Sequence, residues 1–125
     1  MRKLLLILLC LPLIGFGQNV NIPDANFKAY LIGIASINTN GDSEIQVSEA
    51  SAFGGGIYCD NQNITDLTGI EAFTALIALS CSYNNLTSLD VINNTALTTL
   101  YCYSNQLTSL DVSQNTNLID LDCSG

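Results

Sequence analysis

LIALSCSYNNLTSLDVINNTA (residues 76–96) is followed directly by LTTLYCYSNQLTSLDVSQNTN (residues 97–117), and residues 118–125 begin the same pattern again. The leucine that opens each copy recurs at a constant spacing, at Leu76, Leu97 and Leu118. A fixed period of this kind is typical of a solenoid, in which each repeat forms one turn and stacks on its neighbours. Such an array presents a long face of short parallel strands and no preformed catalytic pocket.

The apolar positions of the repeat predict a shared core, because each turn must point its apolar side chains inward to be buried by the next turn. We expect strands near IYCD, ALSCS, TLYCY and DLDCS. The residues predicted to face inward are Ile57, Cys59, Ile64, Leu67, Ile70, Phe73, Leu76, Leu79, Cys81, Leu86, Leu89, Val91, Leu97, Leu100, Cys102, Leu107, Leu110, Val112, Leu118, Leu121 and Cys123.

An asparagine follows each of the two central strands, Asn84 after the first and Asn105 after the second. A side-chain amide at this place can bond the backbone of its own turn and of the adjacent turn, which predicts a ladder of buried, satisfied amides. Gln62 stands at this place in the preceding turn, so we expect the ladder to be irregular there.

Residues 1–17 have the pattern of a secretory signal peptide. Arg2 and Lys3 precede an apolar run, and small residues around Gly15 and Gly17 offer a cleavage site. The run is too short to span a membrane comfortably, which takes about 20 residues. We therefore predict a secreted or cell-surface protein whose mature chain starts at Gln18 and has no transmembrane segment.

Charge limits the classes of partner. The chain has 3 basic and 11 acidic residues and a net charge of −8, and removal of Arg2 and Lys3 leaves 1 basic residue against 11 acids, a net charge of −10. Lys28 is the basic residue that remains. Because a surface this acidic repels phosphate backbones, nucleic acid is not an expected partner.

Residues 18–56 are predicted to form a small helical cap ahead of the repeats. Pro23 and Asp24 suit the first turn of a helix, and apolar spacing predicts that this helix runs from Asp24 to Ala35. A second short helix is expected over VSEASAF, with Ser48 as its N-cap.

The turn LTTLYCYSNQLTSLDVSQNTN resembles the leucine-rich repeat of bacterial internalin-type proteins, and more closely a variant common in secreted proteins of Bacteroidota. The resemblance covers residues 57–125, about three and a half repeats, and the segment before them resembles the helical, EF-hand-like cap of such proteins. It implies an α/β solenoid: a right-handed superhelix with short parallel strands and a small α-helical N-terminal cap. It also implies adhesion or protein binding at the cell surface.

The segment NTNGDSEIQVSE aligns with the twelve-residue calcium loop of an EF-hand, whose ligands sit at positions one, three, five, seven, nine and twelve. Two departures weaken the match, since the first ligand is Asn and Ser43 replaces the glycine of the sharp turn. Either the loop binds calcium weakly or it serves only as a cap; no other cofactor is expected. The six candidate ligands are Asn38, Asn40, Asp42, Glu44 (by its carbonyl), Gln46 and Glu49.

Four cysteines recur with the repeat at a leucine position: Cys59, Cys81, Cys102 and Cys123. An even number in a secreted chain suggests disulfides, but side chains stacked on in-register parallel strands point the same way and lack the usual bridge geometry. A row of ligands also cannot converge on a tetrahedral zinc. We predict buried free thiols that act as small hydrophobic side chains.

The outward face of the strands is the predicted binding surface, because exposed tyrosines with small hydroxyl neighbours and scattered acids are good contact chemistry. Its residues are Tyr58, Asp60, Tyr83, Tyr101, Tyr103 and Asp122, with Ser80, Ser82, Ser104 and Ser124 beside them. Tyrosine also favours strands for structural reasons alone, which is the competing interpretation.

Binding rather than catalysis is the expected function. The chain has no histidine, so the usual general base near neutral pH is absent. Asp120 and Asp122 share a strand face and are the one candidate carboxylate pair. Asp90 and Asp111 recur at one repeat position, which suggests turn capping. We expect a module for a protein or surface glycan ligand, with a structural spacer as the alternative, and we expect further repeats beyond Gly125.

Overall fold

The computed structural model describes residues 17–125, so the predicted signal peptide lies, except for Gly17, outside the described residues. Two short helices precede four three-residue strands. The elements are α1 (Ala25–Ile32), α2 (Val47–Ala52), β1 (Gly56–Tyr58), β2 (Ala78–Ser80), β3 (Thr99–Tyr101) and β4 (Asp120–Asp122), with one 3₁₀ turn at Ile70–Ala72. The strands form one parallel sheet in the order β1-β2-β3-β4, which confirms the solenoid.

The register of the sheet follows the sequence repeat. Ile57 pairs with Leu79, Leu79 with Leu100, and Leu100 with Leu121. One inward-facing residue of each strand thus stacks on its equivalent in the next, and neighbouring parallel strands are about 4.8 Å apart. A repeat of fixed length is what keeps this register from turn to turn.

The predicted core is confirmed for the first turns and becomes more open toward β4. Inward residues from Ile57 to Cys102 are buried, except that Leu89 is half-buried, and four later ones pack half-buried against them: Leu107, Leu110, Val112 and Leu118. Leu121 holds the inward position predicted for it but is exposed, as is Cys123, so the prediction of a buried thiol was wrong for Cys123. Their strand is paired on one side, and burial in a solenoid requires a turn on both sides.

The asparagine ladder is present and begins at Asn84. Its Oδ1 accepts from the backbone N–H groups of Gln62 and Ile64, both at 3.0 Å. Its Nδ2 donates to the carbonyls of Cys59 and Cys81 at 2.9 and 3.0 Å. One buried side chain therefore satisfies main-chain groups of two successive turns. Asn105 repeats the pattern one turn later, and Gln62 is exposed and outside the ladder, as expected.

A second column of buried asparagines, which was not predicted from the sequence, lies on the side where the chain returns toward the next strand. Asn94 Nδ2 donates to the carbonyls of Ile70 and Phe73 at 2.8 and 3.0 Å. Asn115 donates to the carbonyls of Val91 and Asn94 at 2.8 and 2.9 Å. The available signal was that Asn94 and Asn115 occupy the same position of successive repeats, and Phe73 holds the corresponding place one turn earlier.

The helices of the cap are shorter than predicted. Helix α1 starts at Ala25, with Asp24 as its N-cap, so Pro23 lies before the helix and not in its first turn. The helix ends at Ile32, and Gly33 is its C-cap. The prediction of Ser48 as the second N-cap was wrong. Gln46 takes that place and forms a capping box with Glu49, which is three residues on, at the spacing such a box requires.

Asp24 also fastens the cap to the repeats. Its Oδ1 caps α1 by accepting from the backbone N–H groups of Asn26 and Phe27, both at 2.9 Å. Its Oδ2 accepts from the backbone N–H and the hydroxyl of Thr65, in the first turn, at 2.9 and 3.0 Å. One carboxylate thus sets the helix start and its position on the solenoid. Although burial opposes ionisation, these hydrogen bonds outweigh it and hold the pKa of Asp24 below its usual value.

The cysteine column occupies the positions predicted for it. Cys59, Cys81 and Cys102 are buried side by side in successive turns. Burial disfavours the thiolate and raises the pKa of Cys59 to about 12 and that of Cys102 to about 11, and it raises the pKa of Cys81 as well. Inert thiols packed as hydrophobic side chains fit this environment.

We predict that Asn84→Ala lowers the free energy of unfolding by about 2–4 kcal/mol, because the N–H groups of Gln62 and Ile64 lose their acceptor inside the structure. Asn85→Ala is the matched control: its side chain is exposed, and its backbone bond to Ile64 stays. It should change stability by less than about 0.5 kcal/mol. Urea unfolding measures both; equal losses would mean that the ladder contributes no stability of its own.

We also predict that one thiol of the folded chain from Gln18 to Gly125 reacts quickly with a thiol reagent at pH 8. That thiol is the exposed Cys123, and the three buried thiols should react only on unfolding. Cys123→Ser should remove the fast phase and leave the slow one. If unfolding without reductant releases fewer than three further thiols, some of the cysteines are paired and the free-thiol prediction fails.

Candidate functional site

The strand face, which we define as the outward residues of β1–β4 and of the three positions after each strand, is arranged in rows by the register of the sheet. Tyr58, Ser80, Tyr101 and Asp122 are paired in that order across the four strands. Because the strands are parallel and in register, residues at equivalent repeat positions become neighbours although a whole repeat separates them in the sequence. The predicted face is thus brought together as one surface.

Aromatic side chains form the most prominent part of this face. Tyr58 is 61% exposed and Tyr83 57% exposed, and Tyr101 and Tyr103 are half-buried. The rings of Tyr83 and Tyr103 meet edge to face, with centroids 5.2 Å apart and an interplanar angle of 84°. This is a favoured aromatic geometry, and it holds two tyrosines of successive turns against each other.

Tyr83 has an unusual backbone conformation. Its φ is +54°, in the left-handed region, as are those of the equivalent residues Asn61 (+56°) and Ser104 (+55°). The turn that leaves each strand requires this conformation, which asparagine tolerates well and a bulky residue adopts at a cost. The repeat pattern places Tyr83 on the face but does not predict this strain.

The prediction that Ser80 and Ser82 are available to a partner was wrong. Ser80 is 6% exposed and Ser82 is fully buried. The Asp60 carboxylate binds both, since it accepts from the Ser80 hydroxyl at 2.7 and 2.9 Å and from the Ser82 backbone N–H at 2.7 Å. At β2 the surface is therefore formed by Asp60 and the flanking tyrosines.

Two further acids lie at the β4 end of the face. The Tyr101 hydroxyl donates to Asp120, a bond that raises the pKa of Tyr101. The Ser124 backbone N–H and hydroxyl donate to Asp122 at 3.1 and 2.8 Å and hold the pKa of Asp122 below its usual value. Asp120 and Asp122 are each engaged with a neighbouring hydroxyl, and Asp122 is stabilised as the ion.

Other acids serve local turns. Asp66, Glu71 and Asp90 line a cleft of about 280 Å³ between the first two turns. The carboxylates of Asp66, Glu71, Asp90 and Asp111 accept from backbone N–H groups two residues away, at 2.8, 2.8, 3.0 and 2.9 Å respectively. The expected turn-capping role of Asp90 and Asp111 is confirmed.

The candidate calcium ligands lie together in the cap loop, which we define as residues 38–49. The Asn40 amide donates to Gln46 Oε1 at 2.8 Å, and Gln46 Nε2 donates to Asp42 Oδ2 at 3.0 Å. The sharp turn comes at Gly41, with φ +71°, rather than at Ser43, because Gly41 is the one glycine of the loop. Hydrogen bonds between side chains therefore close the loop, but its sharp turn is not at position six (Ser43), where an EF-hand loop has its glycine.

Glu44 and Glu49 have different surroundings in this loop. The Glu44 carboxylate pairs with Lys28 at 2.8 Å, which leaves its carbonyl as the candidate ligand. Glu49 Oε1 accepts from the backbone N–H groups of Thr39 and Asn40 at 2.8 and 3.2 Å. Burial opposes ionisation of Glu49, but these and other hydrogen bonds outweigh it and hold its pKa below the usual value.

Two properties of the described residues bear on metals and membranes. Across residues 17–125, no three His, Cys, Asp or Glu side chains converge as metal ligands, so any site in the cap loop would need amide and carbonyl oxygens. In the same range no helix is long and apolar enough to cross a membrane.

The chain is similar to known proteins both in sequence and in structure. The family model for leucine-rich repeats (2 copies) matches residues 74–115. Internalin J of Listeria monocytogenes serotype 4b (strain F2365) is 42% identical over 84 residues, which cover 65% of this chain and 9% of Internalin J. The chain thus spans about a tenth of the length of this relative.

Two solved structures share the fold. The functional domain of InlJ from Listeria monocytogenes, described as including a cysteine ladder, has a TM-score of 0.74 and 40% identity over 86% of this chain and 24% of that one. The internalin InlF of L. monocytogenes 4b F2365 has a TM-score of 0.70 and 23% identity over 79% of this chain and 29% of that one. At this identity the similarity supports the fold alone. In repeat sequence and in architecture, the chain resembles the leucine-rich-repeat region of these internalins.

Proposed function

We propose that the chain is an extracellular or cell-surface binding module and that its strand face is the contact surface for a protein partner. The observation that carries this proposal is the aromatic pair of exposed Tyr83 and half-buried Tyr103, held edge to face on a parallel sheet. Tyrosines give large contact areas at low entropic cost, and they are enriched among residues that dominate binding energy.

The backbone strain at Tyr83 supports a binding role over a purely structural one. A residue held in a sparsely populated conformation costs of order 1–3 kcal/mol, and such residues cluster at functional sites. Asparagine, present at the equivalent position 61, would meet the same turn with less strain. A spacer without a ligand has no need of an exposed, strained tyrosine.

Charge on the face indicates the chemistry of the partner. The acids there are Asp60, Asp120 and Asp122, and the one basic residue after the predicted leader, Lys28, lies in the cap and pairs with Glu44. A partner surface with arginine or lysine would find both carboxylates and tyrosine ring faces, which attract cations. Complementary charge would also speed the encounter.

The sequence also supports a location outside the cytoplasm and a role without catalysis. The predicted leader directs export, and the resemblance to internalin-type proteins implies adhesion or protein binding. Histidine is absent from the chain, and most carboxylates outside the cap loop are bound to neighbouring donors, so the described residues offer little acid–base chemistry.

We predict that the double variant Tyr101→Ala, Tyr103→Ala weakens partner binding by at least tenfold while the fold is retained, because both rings lie on the face at half-buried positions. Peptides selected from a random display library on the chain serve as the probe, and we expect them to be rich in arginine or lysine. Biolayer interferometry measures their affinity for each variant.

Ile92→Ala is the matched control for loss of an exposed side chain, since Ile92 is 45% exposed in the returning segment of its turn. It should leave affinity unchanged. Selected peptides that bind the double tyrosine variant as well as the parent would place the contact elsewhere. Failure to select any saturable binder would favour the structural spacer, and selection of glycans rather than peptides from an array would favour the glycan ligand.

Tyr83→Asn separates binding from folding. We expect this variant to raise the free energy of unfolding by about 0.5–1 kcal/mol, because asparagine accepts the left-handed backbone more easily. It should at the same time weaken the selected peptides, since the aromatic contact with Tyr103 is lost. Thermal unfolding and interferometry give the two readings; a variant both less stable and fully competent to bind would contradict the proposal.

A further inference from the structure

Asn38, the first residue of the cap loop, holds a buried amide oxygen without a donor. The residue is 6% exposed, and no donor among the described residues reaches its Oδ1. Its Nδ2 donates to the carbonyl oxygens of Ile32 and Asp42 at 3.1 and 2.8 Å. Because both acceptors are carbonyls, exchanging the amide's nitrogen and oxygen would bring oxygen against oxygen. The bond to Asp42 joins the first and fifth positions of the loop, so the buried Asn38 amide group lies between them.

Buried asparagine oxygens without a donor also occur at Asn94 and Asn115. Those two side chains belong to the repeat column, where each Nδ2 is bound to carbonyls of adjacent turns. Asn38 differs from Asn94 and Asn115 because it lies outside the repeats, in a loop whose other candidate ligands also carry oxygen atoms that can bind a cation. A buried polar group without a partner calls for an explanation, and a bound ion is one.

The other five candidate ligands are residues of the same loop. Asn40, Asp42 and Gln46 are joined to one another through their side-chain ends, as described above. The Glu44 carbonyl accepts no hydrogen bond from the described residues. Position nine, Gln46, is the N-cap of α2 and position twelve, Glu49, is its third residue, so the Glu49 carboxylate is turned back toward the loop.

We propose that the cap loop binds calcium through six oxygen ligands. These ligands are Asn38 Oδ1, Asn40 Oδ1, the Asp42 carboxylate, the Glu44 carbonyl, Gln46 Oε1 and the Glu49 carboxylate. Calcium accepts carboxylate, amide and carbonyl oxygens in flexible arrangements, whereas magnesium demands a strict octahedron and keeps several waters. The neutral amide ligands therefore favour calcium.

Binding exchanges hydrogen bonds for ligand bonds, which limits the affinity. Gln46 Nε2 must release Asp42, and Glu49 Oε1 must give up part of its bonding to Thr39 and Asn40. With two of the six ligands carboxylates, we expect a dissociation constant of about 10⁻⁴–10⁻³ M, the range of extracellular calcium modules. The negative charge of the chain after removal of the leader adds general attraction for cations.

The loop is also connected to the segment that follows the predicted cleavage site. Val20 N–H donates to the Ile45 carbonyl at 2.8 Å, and Val47 N–H donates to the Gln18 carbonyl at 2.7 Å. Calcium that rigidifies residues 38–49 should therefore also hold residues 18–20 in place. This gives the proposal a local readout besides overall stability.

The first test is thermal unfolding of the chain from Gln18 to Gly125 with and without 10 mM calcium. We expect the melting temperature to rise by roughly 4–8 °C, as a dissociation constant near 10⁻³ M implies. Magnesium at the same concentration should give less than half of this rise. No rise with calcium, or an equal rise with magnesium, would overturn the proposal.

The matched variants are Asp42→Asn and Asp90→Asn. Both residues are exposed, and each uses Oδ1 to accept from the backbone N–H two residues on, a bond that asparagine preserves. Asp42→Asn should reduce the calcium-dependent rise to a third or less, and Asp90→Asn should keep it. A full rise in Asp42→Asn would mean that calcium binds outside the cap loop.

Hydrogen exchange provides the local test. Calcium should slow exchange of the Val20 and Val47 amides at least severalfold and leave unchanged the amide of Ile119, which is bonded to the Thr98 carbonyl at the open β4 end and exchanges by local fraying. A stabilisation that slows all amides equally would mean general ionic screening rather than a site. This experiment is independent of the strand face, so its outcome does not depend on the proposed partner.

Discussion

Hydrogen bonds between successive turns are the constraint on which the rest of this structure depends. Each turn exposes many main-chain N–H and C=O groups that its short strand cannot pair. Asn84 and Asn105 bond these groups at the end of each strand, and Asn94 and Asn115 do so where the chain returns. Because each of these side chains links its own turn to the preceding one, the turns must stay in register, and the register in turn aligns the apolar core.

The strand face is a consequence of this stacking. Once the inward leucines are aligned, outward side chains from residues far apart in sequence come within about 5 Å of one another. The same geometry explains why part of the face is hidden: Asp60, in one turn, folds over Ser80 and Ser82 of the next. Surface residues of a solenoid therefore cannot be identified from a single repeat, because their exposure depends on the side chains of adjacent turns.

The cap is the element that precedes the first of the similar turns, and it is attached to that turn. Asp24 joins α1 to Thr65, and Asn26 Nδ2 donates to the Asn63 carbonyl at 3.0 Å, so polar contacts attach the cap to the first turn. Phe27 and Leu31 are fully buried and extend the core into the cap. The cap loop lies on this frame, and its polar side chains bond one another rather than the repeats.

The sequence by itself determined the fold class, the strand positions, most of the inward apolar positions and the first asparagine ladder, because a constant repeat length permits one stacked arrangement of its apolar positions. It also placed the six candidate calcium ligands in one loop. Only the tertiary structure decided the rest. Gln46, and not Ser48, is the N-cap of α2, and the Glu49 side chain reaches back to accept from the Gln46 backbone N–H at 3.0 Å. Ser80 and Ser82 became buried, and Leu121 and Cys123 exposed, because burial depends on neighbouring turns that local sequence does not specify.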